Sequence, residues 1–280
     1  MVKSQSKRTG TQNMEDWMKP FENCTLCPRK CGVNRSTGKA GACHVDAQMR
    51  VARAALHFWE EPCISGEEGS GAVFFTGCSL GCVFCQNTEI SRGQAGENVS
   101  VEQLAEIFLR LQEQGANNIN LVTAGHYVPA VAESLRRAKD KGLQIPVVYN
   151  SSGYELPDTL RLMEDLVDIY LPDMKYMDGE LAGKYSHAQN YPDVAKAALE
   201  EMVRQCPICE FDERGMMKKG VIVRHLLLPG HVRNSKAVMK YLHETYQDQI
   251  YISIMSQYTP MPQMVKYPEL NRRVTKREYS

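Results

Sequence analysis

The segment Thr76-Gly-Cys78-Ser-Leu-Gly-Cys82-Val-Phe-Cys85-Gln-Asn87 directly follows the first of several candidate buried strands. Its lead-in, Ala72–Thr76, is continuously apolar up to its last residue, as expected of a parallel strand covered on both faces. The spacing C-x3-C-x2-C lets three thiolates wrap one face of an iron–sulfur cubane. Electron-transfer clusters ordinarily take four cysteines, so with three the fourth iron would keep an open coordination position, as in a catalytic metal site. A zinc knuckle with a fourth ligand elsewhere, or buried structural thiols, are the alternatives.

Short apolar runs alternate with longer amphipathic segments from this point onward. The candidate strands are Ala72–Thr76, Asn118–Thr123, Ile145–Asn150, Val167–Leu171, Val221–Leu228 and Ile250–Met255. The candidate helices are Val101–Gln114, Val128–Lys141, Leu156–Asp165, Asp193–Gln205 and Ser235–Tyr246, with Ser100 and Ser235 as expected N-caps. Six strands alternating with helices predict an α/β fold, a partial (β/α)6 barrel whose site lies at the carboxyl ends of the strands.

Composition narrows the class of protein. The chain has 280 residues with 33 Lys+Arg against 33 Asp+Glu, and this balance argues against a nucleic-acid binder. No apolar run is long enough to span a membrane. Its ten cysteines are mostly clustered, which favours metal ligands in a reducing, cytoplasmic compartment over disulfides. We expect a disordered tail at residues 1–13, a small Cys-rich metal-binding module at 14–68 and the barrel at 69–280.

A second group of cysteines precedes the barrel. Cys24, Cys27, Cys31 and Cys43 fall within twenty residues that are rich in turn-forming Gly and Pro. Four thiols make a closed site, so we expect structural zinc or an auxiliary [4Fe–4S] cluster, with unligated thiols as the weaker alternative. The remaining cysteines form no such set: Cys63 is isolated, and Cys206 and Cys209 read as incidental or as a weak metal clip.

With Phe84 before its last cysteine, the Cys78 motif resembles that of the radical S-adenosylmethionine (SAM) superfamily. The longer Cys82-Val-Phe-Cys-Gln-Asn-Thr-Glu89 is similar to the pyruvate formate-lyase activating-enzyme branch. The segments Cys24–Arg35 and Val223–Gly230 resemble an activating-enzyme-like subgroup of uncharacterised iron–sulfur proteins. The resemblance implies a [4Fe–4S] cluster that binds SAM and cleaves it reductively to a 5′-deoxyadenosyl radical, with an electron donor such as flavodoxin or ferredoxin.

The same resemblance implies SAM contacts at the ends of the strands. The expected residues are Phe84 near the adenine, Asn150 and Ser152 near the carboxylate or ribose, the pair Asp173 and Lys175, and Arg224. Thr123-Ala-Gly-His126-Tyr127 takes the place of a Gly-rich segment of the family but lacks its acidic residue. Phe84 as core filling, and the Asp–Lys pair as a surface ion pair, are the alternatives.

The substrate is the least determined feature of the sequence. The resemblance implies hydrogen abstraction from a glycine of a glycyl-radical partner enzyme. Direct modification of a small molecule or peptide is one alternative, and a non-catalytic metal-binding scaffold is another. We further expect a wide mouth beside the last strand and high mobility after Pro268.

Overall fold

The computed structural model describes residues 16–280, so the tail predicted at residues 1–13 lies outside the described residues. The strands are β1 (Arg50–His57), β2 (Ser70–Phe75), β3 (Glu97–Asn98), β4 (Ile119–Val122), β5 (Val147–Ser151), β6 (Ile169–Pro172), β7 (Glu210–Phe211), β8 (Met217–Leu226) and β9 (Tyr251–Met255). The helices are α1 (Pro62–Ser65), α2 (Thr88–Ser91), α3 (Val101–Glu113), α4 (Val128–Asp140), α5 (Pro157–Arg161), α6 (Gly179–Ser186), α7 (Tyr191–Gln205), α8 (Val232–Tyr246) and α9 (Lys276–Tyr279). Short 3-10 turns connect several of them.

Six parallel strands form the body of the sheet. Their order is β2-β4-β5-β6-β8-β9, and each is followed by at least one helix before the next begins. This is the partial (β/α)6 barrel that the alternation of strands and helices predicts. The sheet also extends beyond it, because β1 pairs with β2 in the antiparallel sense and β3 pairs with β1.

The strand register separates an inner face from an outer one. Asn120, Val148 and Ile169 are aligned across β4, β5 and β6 and therefore share one face. An apolar cluster made by Val148, Ile169, Leu171, Met217 and Ile222 with Ile64 of α1 fills this inner face. Polar side chains follow higher up, where Asp173 just after β6 bridges Arg224 of β8. The inner face thus has an apolar floor beneath a polar upper level.

Local signals place most of these elements correctly. Ser100 caps α3 with a full capping box to Gln103, as predicted. Ser235 is wrong as a cap: α8 already begins at Val232, and the Ser235 hydroxyl lies 2.8 Å from Nε2 of the buried His225. The predicted helix at Leu156–Asp165 is cut to the five residues of α5.

The chain after Pro268 is anchored at its start, and the mobility expected beyond that point stays a prediction. Leu270 is fully buried, and its carbonyl accepts a hydrogen bond from the Tyr258 hydroxyl at 2.9 Å. Glu269 accepts a hydrogen bond from the Tyr185 hydroxyl at 2.7 Å. The last strand still has an open side, since Ile254 of β9 is 45% exposed. Across residues 16–280, no helix combines the length and apolar character that crossing a membrane requires.

Candidate metal and cofactor site

The Cys78 loop leaves the carboxyl end of β2 through Gly77. Gly77 has φ +96°, in the region that favours glycine, and a Cβ there would lie 2.7 Å from the carbonyl oxygen of Cys43. The next amide, that of Cys78, donates to the same carbonyl at 3.1 Å. Glycine is therefore needed for the two cysteine-bearing loops to touch through their backbones.

Two of the three thiols of this loop accept hydrogen bonds, and the cation of Lys175 lies near them. The Ser186 hydroxyl donates to Sγ of Cys82 at 3.0 Å, and the Leu80 amide donates to Sγ of Cys78 at 3.4 Å. Burial raises the pKa of the Cys82 thiol to about 12, although Lys175 and Ser186 oppose this. Donors aimed at the sulfur atoms favour the thiolate form that a cluster binds, so the residues present fit a cubane with three protein ligands.

A buried charged network adjoins this loop at the ends of β5, β6 and β8. Nζ of Lys175 lies 2.6 Å from Oδ2 of Asp173, and Nε of Arg224 lies 3.3 Å from Oδ1 of Asp173. Nη2 of Arg224 donates to Oδ1 of Asn150 at 2.6 Å, and Nη1 donates to Oε2 of Glu60 at 3.1 Å. The arrangement holds two cations and two carboxylates in one buried network.

The pKa values of the two carboxyls move in opposite directions. Burial alone would raise the pKa of Asp173, but the charges of Lys175 and Arg224 outweigh it and the pKa is lowered. Burial raises the pKa of Glu60, and Arg224 offsets this only in part. Oδ1 of Asp173 and Nε of Arg224 face each other without hydrogen-bond geometry, and neither has another partner among residues 16–280. Both atoms therefore retain capacity for a polar ligand.

The structure brings four of the predicted SAM-contacting residues together: Asn150, Asp173, Lys175 and Arg224. Phe84 is buried in the main core with its ring 6.2 Å from that of Tyr258. The Ser152 carbonyl accepts a hydrogen bond from the Tyr191 hydroxyl. The roles of these residues toward SAM stay predictions.

Sequence reasoning missed two buried carboxyls. Glu60 precedes the barrel and has no local pattern that marks it, yet it completes the network around Arg224. Glu155 lies against Gly125, where an added Cβ would clash with both of its carboxyl oxygens. Burial raises the pKa of Glu155 to about 8. A carboxyl thus lies beside the Gly-rich segment after all, although a different part of the chain supplies it.

The four N-terminal cysteines lie in one region of the structure. Cys24, Cys27 and Cys43 are buried and Cys31 is exposed. A Cβ on Gly41 would lie 3.4 Å from Sγ of Cys31 and 3.5 Å from Sγ of Cys43, so glycine leaves room between these two sulfurs.

Arg35 is a buried cation beside the N-terminal cysteines. It is 1% exposed, and Nη1 lies 3.6 Å from Sγ of Cys24. Its other hydrogen bonds all go to backbone carbonyls: Nη1 to His126 at 2.7 Å, Nη2 to Asp46 at 2.7 Å and Nε to Val45 at 3.2 Å. The guanidinium also stacks on the ring of Phe21, 5.0 Å from its centroid.

Arg29 ties the N-terminal module to the Cys78 loop. Its guanidinium donates to the carbonyl of Ser79 at 2.8 Å and to that of His187 at 2.5 Å. A pocket of about 590 Å³ lies between the two cysteine-bearing loops, and no carboxylate lines it. Its basic and thiol lining residues are Arg29, His44, Cys78, Cys82, Arg92 and His187.

The remaining cysteines lie apart from these sites. Cys63 and Cys209 are half-buried and pack against the apolar floor of the barrel, and Cys206 is buried with its thiol 3.4 Å from the Asp168 carbonyl. Among residues 16–280, no three His, Cys, Asp or Glu side chains are arranged to hold a single metal ion.

Known proteins similar to this chain agree with an iron–sulfur site in the barrel. The model of the Radical SAM superfamily matches residues 72–242. The chain is 29% identical over 266 residues to the uncharacterized protein MJ0674 of Methanocaldococcus jannaschii, covering 92% of this chain and 72% of that protein. Solved structures similar to it include HydG, a maturase of the [FeFe]-hydrogenase (TM-score 0.48, 12% identity, 72% of this chain and 45% of HydG). Methylornithine synthase, PylB, is also similar (TM-score 0.45, 15% identity, 66% of this chain and 52% of PylB), so the chain spans about half the length of both.

Proposed function

Because the chain belongs to the radical SAM superfamily, we propose that it is an enzyme that cleaves SAM at a [4Fe–4S] cluster held by Cys78, Cys82 and Cys85. When bound, the cluster supplies an iron with an open position and the electron for breaking the carbon–sulfur bond. The observation that supports this most is the three-thiol loop at the carboxyl end of β2, beside a buried network of opposite charges.

The network can bind the methionine part of SAM, which carries an ammonium and a carboxylate. In the proposal, Asp173 accepts from the ammonium through Oδ1, which forms an ion pair but no hydrogen bond with Arg224, and Arg224 donates to the carboxylate. Asn150 hydrogen-bonds to Arg224 and holds that guanidinium in position. Nη1 of Arg224 already donates to Glu60 and Nη2 to Asn150, so the SAM carboxylate would accept from the remaining N–H groups of the guanidinium or displace Glu60.

The floor of the barrel supplies the second requirement, exclusion of water from a reactive radical. Ile64, Leu171 and Ile222 close the lumen beneath the charged network with apolar side chains. A dry, shaped cavity limits side reactions and holds the target carbon in place, which is the protein's contribution to such chemistry.

For the substrate, we propose a glycyl-radical partner enzyme, and the likeness of Cys82–Glu89 to the activating-enzyme branch supports this. The open side of β9 supports a macromolecular substrate, since a protein loop could enter beside Ile254 near the carboxyl end of the strand. Direct modification of a small molecule or peptide is the second candidate. A radical on a partner's glycine, detected by electron paramagnetic resonance (EPR), would support the first candidate. A mass change on a metabolite without a protein radical would support the second.

The remaining proposals concern the second site and the electron donor. We further propose that the N-terminal cysteines hold a second metal centre, either zinc or a cluster; a single zinc ion would draw their sulfurs closer together than they lie in the structure. A one-electron donor such as flavodoxin or ferredoxin is the proposed source of the electron that reduces the Cys78 cluster. We expect the protein to work in the cytoplasm, where the cysteines stay reduced.

Anaerobic reconstitution followed by product analysis tests the proposed function. The wild-type protein should convert SAM to methionine and 5′-deoxyadenosine under reducing conditions, and Cys82→Ala should abolish this. Cys63→Ala is the matched control, because this thiol lies outside both cysteine sites, and it should retain cleavage. Undiminished cleavage by Cys82→Ala would contradict the proposal, and absence of cleavage by the iron-loaded wild type would favour a non-catalytic scaffold.

A further inference from the structure

We infer that Cys24, Cys27, Cys31 and Cys43 hold a second [4Fe–4S] cluster, and that the electron for the Cys78 site passes through the backbone of Cys43. The inference rests on the proposed function only for the identity of the electron acceptor. It stands on three observations: a buried positive charge, the difference in solvent exposure among the four cysteines, and a backbone contact between the two cysteine sites.

The buried charge is that of Arg35. This guanidinium is 1% exposed, and within residues 16–280 no carboxylate forms an ion pair with it. Neutral carbonyls satisfy its N–H groups but leave its positive charge uncompensated, which is costly in a protein interior. Its one sulfur contact is Sγ of Cys24 at 3.6 Å. Metal-bound thiolates would provide the missing negative charge, and protonated thiols would not.

The four thiols face two different environments. Cys31 is exposed to solvent, whereas Cys24, Cys27 and Cys43 are buried. The sulfurs of Cys31 and Cys43 flank Gly41, at 3.4 and 3.5 Å from the position of an added Cβ. A centre bound by all four would therefore reach from the solvent at Cys31 to the interior at Cys43.

The backbone contact continues this line to the other site. The carbonyl of Cys43 accepts the amide hydrogen of Cys78 at 3.1 Å, and Gly77 contributes no side chain that would separate them. A single backbone hydrogen bond thus joins Cys43 of the N-terminal site to Cys78 of the other site. This favours a cluster over zinc, because zinc has no redox chemistry to use such a path.

The step is a one-electron transfer with no bond made or broken. The reduced N-terminal cluster is oxidised by one electron, the Cys78 cluster is reduced by one, and no proton moves. A low-potential iron–sulfur or flavin protein then reduces the N-terminal cluster again near Cys31. The residues of this chain supply the path and, through Arg35, the charge that holds the anionic centre.

The site is tested in a chain whose first site has been removed. Cys78→Ala/Cys82→Ala/Cys85→Ala should retain about four iron atoms per chain after anaerobic reconstitution. On reduction it should give an EPR signal that SAM leaves unchanged. Zinc in place of iron, or no metal at all, would overturn the inference.

The path is tested in the intact protein and in a second variant. When both clusters are reduced, the wild-type EPR spectrum should show spin coupling, and so should differ from the sum of the two single-site spectra. Cys24→Ser/Cys31→Ser should slow reduction of the Cys78 cluster by a donor protein at least about tenfold. Cys209→Ser, a matched change outside both sites, should not slow it. A wild-type spectrum equal to the sum, or an unaffected rate in Cys24→Ser/Cys31→Ser, would overturn the path.

The two proposals fail separately. Spin coupling without SAM cleavage would refute the proposed function and leave the second cluster standing. SAM cleavage by a protein whose N-terminal site holds zinc would do the reverse.

Discussion

Removing Arg224 should expose the energetic coupling within the buried charged network. In Arg224→Met the carboxylates of Glu60 and Asp173 lose their shared cation, while the methionine side chain preserves much of the volume. We expect Arg224→Met to destabilise the fold by about 3–5 kcal/mol, the usual cost of breaking a buried pair by removing one partner. Adding Glu60→Gln removes one of the stranded charges and should recover about 2 kcal/mol.

The magnitude follows from the geometry of the pair. Nη1 of Arg224 and Oε2 of Glu60 are 3.1 Å apart, and the two side chains are only 15% and 10% exposed. At an effective dielectric constant of about 20, charges at this separation attract by about 5 kcal/mol. Desolvation of both groups offsets much of this, so a coupling energy of about 2 kcal/mol is expected.

The assay is a double-mutant cycle measured by urea unfolding of the reconstituted protein under anaerobic conditions. The cycle compares wild type, Glu60→Gln, Arg224→Met and the double variant. The exposed pair of Lys240 and Glu244, 3.8 Å apart on α8, is the matched control and should show coupling below about 0.5 kcal/mol. Additivity within about 0.5 kcal/mol for Glu60 and Arg224 would refute the view that these residues form one network.

Three further changes test other parts of the account. Gly77→Ala should lower the free energy of unfolding in urea by about 2–3 kcal/mol, because the added Cβ clashes with the N-terminal loop and the residue keeps a positive φ. Gly215→Ala is the control: it also has a positive φ but open space around it, so it should show only the smaller cost of that φ. Ser186→Ala removes a hydrogen bond to Sγ of Cys82, so redox titration should find that cluster's reduction potential lower by about 50 mV, and an unchanged potential would contradict this. Burial raises the pKa of Glu155 from 4.5 to about 8, so between these values the carboxyl is ionised in the unfolded chain but protonated in the folded one. The free energy of unfolding of the wild type should therefore fall by about 2 kcal/mol between pH 5.5 and 7.5, and Glu155→Gln should lack this trend.

The sequence predicts those features that depend on neighbouring residues. The six parallel strands are short apolar runs, and the Asp173–Lys175 pair lies two positions apart on one strand end, where both side chains point the same way. The Cys78 loop is likewise local, because its three cysteines and its glycines occupy one turn-rich segment. Each of these signals can be read within a window of about ten residues.

Long-range pairs explain what the sequence does not reveal. Glu60 meets Asn150 and Arg224, which lie 90 and 164 positions further along the chain. No local pattern marks Arg35 as a buried residue, and its hydrogen bond to the His126 carbonyl joins positions 91 apart. Ser235 looks like a helix cap, yet the structure uses it to bind a buried histidine. Only the folded arrangement makes these residues partners.

The central claim is that SAM binds directly to a cluster on the Cys78 loop, and EPR spectroscopy of the reduced protein tests it most directly. The spectrum of the reconstituted wild type should change on addition of SAM, because SAM would occupy the open position of that cluster. Cys82→Ala should retain only the signal of the N-terminal site and show no such change. A wild-type spectrum that is identical with and without SAM would contradict the account.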